Sequence, residues 1–266
     1  MIRSAEERTS FELEGPTWRQ AYRILTSNRK TLLLPLAVTQ LPATLIAAIA
    51  YFILLWRAFP EVEAGGLPRL GDEPQNYMIS LLAINGAWWL FTLVGVAGTI
   101  VATQALTDGD ALSLTQALDP GFTRLGGILA IGAIFLGLFM ATIIGLFVLI
   151  YVIWRFGLAL QQYVLGESGV YGALGRSWLL LRGRMLRFAG MLITLLPVSA
   201  VLLGVGVLAA GIVLLPFTAL ESGRTLDLAT SSLGAAIIGV FAVPVSAYLA
   251  VATTLFYLNA RADVDV

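Results

Sequence analysis

The sequence has no cysteine and no histidine among its 266 residues, and only 12% of them are charged. The missing cysteine excludes disulfides, thiol nucleophiles and thiolate metal sites. The missing histidine excludes Ser-His-Asp and Cys-His catalysis, imidazole-ligated zinc or haem, and an imidazole proton relay. Charge is scarce because apolar residues take its place. They make up 58% of the chain, at a mean hydropathy of +0.88, where a soluble domain averages about 45–50% apolar and about 25% charged residues. A water-soluble globule is excluded, and the composition is that of an all-α polytopic integral membrane bundle. Sixteen basic residues balance sixteen acidic ones, so no net positive charge points to a nucleic-acid partner.

Residues 1–30 are polar and carry Arg3, Arg8, Arg19, Arg23, Arg29 and Lys30, with no apolar run near Met1, so no cleaved leader is expected. Within them, Pro16 to Lys30 reads as an interfacial helix with Trp18, Tyr22 and Leu25 on one face. Residues 31–258 read as the membrane domain, with apolar runs at 31–56, 77–106, 125–165, 188–216 and 231–258, and residues 259–266 as a tail. A span needs about 20 residues at about 1.5 Å each. The third run has 41 residues and as one helix would reach about 60 Å. It holds either two spans, 125–145 and 146–165 with a turn near Gly145, or one span with a helical extension.

Cytoplasmic loops collect Lys and Arg. Six spans place twelve basic residues on the cytoplasmic side and leave Arg57, Arg69 and Arg224 outside, whereas five spans leave seven inside against eight outside. Six transmembrane helices in the inner (cytoplasmic) membrane, with both termini in the cytoplasm, are therefore expected. No segment outside the membrane reaches the length of a separate soluble domain.

Polar residues inside the runs are Gln40, Asn85, Gln104, Arg155, Gln161 and Gln162. Arg155 falls near the middle of the fourth of six spans, where a charge costs about 3 to over 10 kcal/mol. No Asp or Glu lies in any run, so its partner is an amide, a carbonyl, water or an anion brought by a ligand. Alternatively, the third span ends near Trp154 and Arg155 snorkels to the interface. From Ser168 to Arg187 the chain reads as an amphipathic helix. Val170, Leu174, Trp178 and Leu181 form its stripe, Arg176 and Arg187 point away, and Arg182 and Arg184 lie on the flanks. This cation-rich surface suits anionic lipid headgroups, or it only fixes topology. Small-residue stripes at Ala133, Gly137, Ala141 and Gly145, and at Ala242, Ser246, Ala250 and Thr254, suit close helix packing, within one copy or in a homo-oligomer. Pro35, Pro42, Pro197 and Pro244 predict kinks. Glu61, Glu63, Asp72 and Glu73 read as solvated loop charges. No phosphate-binding loop is found, because Gly204-Val205-Gly206 lies in an apolar run with no following Lys. No metal site or cofactor is assigned.

The run from Gln162 to Glu167, the stretch Gly172-Ala173-Leu174-Gly175-Arg176-Ser177-Trp178, and Leu181-Arg182-Gly183-Arg184 resemble the glycerophosphoryl diester phosphodiesterase membrane-domain family and its YciC-like relatives. Trp18 to Leu25 and Leu255 to Arg261 are similar to it as well. The resemblance implies a prokaryotic multi-span membrane protein. In fused members of that family, hydrolysis belongs to an attached soluble barrel with catalytic histidines. This chain has neither, so phosphodiesterase activity is not carried over.

The expected function is that of a non-catalytic, lipid-associated scaffold or accessory factor in envelope homeostasis, meeting anionic headgroups through Arg176, Arg182, Arg184 and Arg187. The alternative is a permease or flippase-like carrier of an anion or amphiphile, with Arg155 as the central contact and Asn85 and Gln104 in support. A carboxylate-free interior counts against coupling to protons or sodium.

Overall fold

The fold comes from a computed structural model that describes residues 17–58, 74–110, 112–142, 157–166, 168–218 and 224–263. All regular structure among them is helical: α1 (Thr17–Ser27), α2 (Arg29–Ala58), α3 (Pro74–Asp108), α4 (Leu114–Thr123), α5 (Leu125–Thr142), α6 (Ala159–Leu165), α7 (Val170–Leu181), α8 (Met185–Thr218) and α9 (Arg224–Ala262). Four of these helices are long and apolar enough to cross a membrane, over Arg29–Leu54, Ile79–Asp108, Met185–Pro216 and Ala229–Ala262. They coincide with the runs expected as single spans to within a few residues at each end.

The distribution of side chains on these helices reverses that of a soluble bundle. Leu45, Ile46, Ile79, Leu82, Ile193, Leu208 and Ile212 are exposed, while Gln40, Thr99, Thr103, Ser177 and Thr254 are fully buried. A helix in water turns its apolar stripe inward. Here many large apolar groups face out and polar groups lie within, the arrangement that suits hydrocarbon surroundings.

The chain divides into two compact units. Unit 1 comprises residues 1–36, 93–198 and 246–266, and unit 2 comprises 37–92 and 199–245. The division falls inside α2, α3, α8 and α9, so each of them contributes to both.

Unit 1 is built around Leu32, Leu181, Phe188, Leu195, Leu255 and Tyr257, all fully buried. α1 joins this core through Ala21 and Ile24, with Trp18 and Leu25 packed beside them. Tyr22 of the same helix is exposed, on a side that the protein itself does not cover. α4 has no counterpart in the expected spans, although Ser113 and Gln116 form a reciprocal capping box at its start. α4 packs on α5, and α5 packs on α6 and α7.

The long run from 125 to 165 is not one helix. α5 covers its first part, and the turn expected at Gly145 lies outside the described residues, as does Arg155. A turn at Gly157 and Leu158 then separates α6 from what precedes it. This segment turns into the core: Leu158, Ala159 and Val164 are buried, and the Leu158 amide donates to Ser177 Oγ at 3.2 Å. Of the expected span 146–165, residues 146–156 lie outside the described residues. Polar groups of α6 are tied to α9, where Gln161 Nε2 donates to Thr253 Oγ1 at 2.7 Å and the Tyr257 hydroxyl donates to Gln162 Oε1 at 3.0 Å.

The last carbonyls of a helix have no partner within it. At the end of α6, Arg124 Nη1 donates to the carbonyls of Tyr163 at 2.8 Å, Val164 at 3.2 Å and Gly166 at 2.8 Å. The cation also complements the negative end of the helix dipole. Arg124→Leu removes these bonds and is expected to cost about 1.5–3 kcal/mol, the range for hydrogen bonds to a charged group. Thermal unfolding in detergent should show this loss for Arg124→Leu and none for Arg176→Leu, whose side chain is exposed.

Candidate functional site

The segment expected as one amphipathic helix from Ser168 to Arg187 is two helices. Its break is at Gly183, whose φ of +80° is a conformation that favours glycine. α7 stops at Leu181, the Arg184 amide donates to the Leu181 carbonyl at 2.9 Å, and α8 begins. The buried face of α7 is Ala173, Ser177, Leu180 and Leu181, with Val170, Leu174 and Trp178 half-buried beside it. The stripe is therefore rotated from the expected one toward the small side chains, which admit α6 at close range. Arg176 and Arg182 are exposed.

The turn places Arg184 at the entrance of α8, facing the end of α9. Arg184 Nη1 donates to the Ala260 carbonyl at 2.6 Å, a group left over in the last turn of α9. Arg184 Nη2 lies 3.2 Å from Asp263 Oδ2, with the two side chains 22% and 62% exposed. Three residues on, Arg187 is exposed and has no hydrogen-bond or ion-pair partner among the described residues.

Both arginines line a cavity of about 510 Å³ in unit 1. Its apolar walls are Trp18, Met191 and Phe256, and its polar ones Thr17, Thr194 and Asn259. Trp18 is held by its backbone carbonyl, which accepts from the Tyr248 hydroxyl at 3.2 Å. Arg19 stacks over the Trp18 ring at 5.0 Å. Phe256 is braced by Phe188, ring centroids 5.1 Å apart. With Asp263 opposing only Arg184, the rim carries a net positive charge. The volume falls in the range of ligand sites, about 300–1,000 Å³. A positive rim over an apolar wall matches a group that is anionic at one end and apolar at the other.

Of the residues singled out in the sequence, Arg184 and Arg187 come together here. Arg176 and Arg182 do not line the cavity. Asn85 belongs to unit 2, where its Nδ2 donates to the Tyr51 hydroxyl at 2.7 Å and to the Leu81 carbonyl at 2.8 Å. Gln104 is half-buried on α3 and lines neither this cavity nor the one beside Asn85, and Arg155 is outside the described residues. Asn259 and Asp263, read as tail, were missed because α9 runs on to Ala262. No family model, curated protein or solved structure matches this chain.

The geometry separates two roles for the arginines. Arg184→Ala leaves the Ala260 carbonyl without its charged donor and is expected to cost about 1.5–3 kcal/mol of stability. Asp263→Asn removes only an exposed pairing, worth about 0–1 kcal/mol. Differential scanning of the two variants in detergent checks this order.

Proposed function

We propose that this chain is an integral membrane protein that acts without catalysis as a lipid-associated scaffold or accessory factor, holding anionic headgroups at the cavity of unit 1. The observation that carries the reading is Arg187, unpaired among the described residues beside Arg184 on the rim of an apolar-walled cavity. Arg184 is committed to the end of α9 and positions the rim. Arg187 is the cation left for a ligand. Membrane insertion is supported by the four apolar helices and by their apolar outward faces. The resemblance to the glycerophosphoryl diester phosphodiesterase membrane-domain family is part of this proposal, in its form without the catalytic barrel. The carrier reading gains no described contact, since it rests on Arg155.

The proposed orientation puts the protein in the inner (cytoplasmic) membrane with both termini in the cytoplasm. The distribution of basic residues along the sequence supports it, twelve on the cytoplasmic side of six spans against Arg57, Arg69 and Arg224 outside, because such residues are retained on the cytoplasmic side. If α2, α3, α8 and α9 each cross once, both termini and the segment bearing α4 and α7 lie on one side. This requires the 125–165 stretch to cross an even number of times, and we place two of the six spans there.

Two experiments test these statements. Arg187→Gln is expected to weaken binding of phosphatidylglycerol to the detergent-purified protein about fivefold, the worth of about 1 kcal/mol for one cation near a headgroup. Phosphatidylcholine binding should not change, and equal loss for both lipids sinks the headgroup reading. Because the chain has no native cysteine, single-cysteine labelling gives topology directly. Six spans expect Gly145→Cys to be labelled from the same face as Glu61→Cys and opposite to Ser113→Cys. A Gly145→Cys label that enters only from the Ser113 face removes the central hairpin.

A further inference from the structure

Unit 2 contains a cavity of about 580 Å³ whose described lining side chains are all uncharged. Its polar groups are gathered at one end. Thr44 meets Gly239, Tyr51 and Ser232 each lie seven residues from that contact on α2 and α9, and Asn85 of α3 bonds to Tyr51. The deeper wall is made of small side chains: Ala48, Gly239 and Ala242. A Cβ at Gly239 would collide with the Thr44 side chain, so the absence of a side chain there keeps the wall concave.

The hydrogen-bonding capacity at the polar end is only partly used within the protein. Asn85 spends both amide protons on Tyr51 and on the Leu81 carbonyl, which leaves its Oδ1 as an acceptor. Tyr51 accepts from Asn85, so its own proton is free to donate. Ser232 is 8% exposed, and its buried hydroxyl has no hydrogen-bond partner. Trp88 donates to Thr44 Oγ1 at 2.9 Å and presents its ring to the cavity. One turn before Thr44 on the same face of α2, Gln40 is fully buried with both amide atoms unpartnered. Buried polar groups in apolar surroundings normally find a partner. This cluster keeps a donor, an acceptor and a hydroxyl that can serve as either, all uncharged, above an apolar slot.

We infer that the unit 2 cavity binds an uncharged amphiphile bearing a hydroxyl headgroup, a long-chain alcohol or a diacylglycerol, with its hydroxyl between Tyr51, Asn85 and Ser232 and its chain along Ala48 and Gly239. A charged headgroup finds no counter-ion among the described side chains there, whereas a hydroxyl both donates and accepts as the three groups require. The inference rests on membrane insertion but not on anion binding in unit 1, and the two fail separately.

The test uses the full chain in phosphatidylcholine nanodiscs, with a diazirine-bearing octadecanol as probe and its sulfate ester as the charged comparator. The alcohol is expected to label peptides containing Thr44 to Tyr51, Asn85 to Trp88 or Ser231 to Ala242, in competition with unlabelled diacylglycerol. The sulfate should label them at least tenfold less. Ala236→Phe, which fills the slot, should cut alcohol labelling at least tenfold. Asn85→Leu, which keeps the slot open, should cut it severalfold, and it serves as the readout if Ala236→Phe does not fold. Labelling spread over outward residues such as Ile46 and Leu208 and unchanged in Asn85→Leu overturns the proposal. Equal labelling by the sulfate overturns the assignment of an uncharged headgroup. Loss of phosphatidylglycerol binding in Arg187→Gln leaves this outcome untouched, which separates the two sites.

Discussion

A polar group that cannot be given to water must be given to another part of the chain, and α6 shows how much of unit 1 follows from that constraint. This seven-residue helix is buried, too short to satisfy its own ends. Ser177 receives the amide that leads into it, Arg124 takes the carbonyls that leave it, and Thr253 and Tyr257 bind its two glutamines. These partners come from the α4–α5 junction, from α7 and from α9, so three parts of unit 1 are located by the requirements of one short helix. Apolar packing then fills around these bonds, with Leu181, Phe188 and Leu255 completing the core. In hydrocarbon, apolar side chains gain little by leaving lipid, and helix association draws on close packing and interhelical hydrogen bonds instead.

The two cavities extend the same logic to ligands. In unit 1 the charge of Arg184 is absorbed by the end of α9 and by Asp263, and Arg187 remains beside an apolar wall. In unit 2 no charged side chain is described, and the groups left over are a phenol, an amide oxygen and a serine hydroxyl. Each cavity joins polar groups at one end to apolar surface at the other. That pattern suits molecules that are themselves divided into head and tail, and both proposals rest on it.

Much of the fold was legible in the sequence. Length and apolarity identify α2, α3, α8 and α9 within a few residues of their ends, because a helix in hydrocarbon must satisfy its backbone internally and needs a fixed length to cross. The capping box of Ser113 and Gln116 was equally available and announces α4, but ten residues between two apolar runs are easily read as loop. Faces were less legible. In α7 a stripe drawn through the large residues Val170 and Leu174 is displaced by one position from the buried face. Close-packed helices bury their small residues, Ala21, Ala173 and Ser177, and leave large ones at the margin, so size and burial part company where hydropathy alone would join them.

The sequence by itself determined the exclusion of thiol and imidazole chemistry, the helical class and the apolar stretches, since these depend on residue type and on lengths along one chain. It also picked out the arginines around Gly183 as a group. Only the tertiary structure decided that they have different tasks. Whether a guanidinium is occupied depends on what stands within about 3 Å of it, and for Arg184 that is the Ala260 carbonyl, 76 positions away in the chain. The same holds for Arg124, which sequence reading counted only as a loop charge and which binds carbonyls about forty residues on. Periodicity reports one helix at a time, whereas the partner of a side chain is set by where a second helix ends.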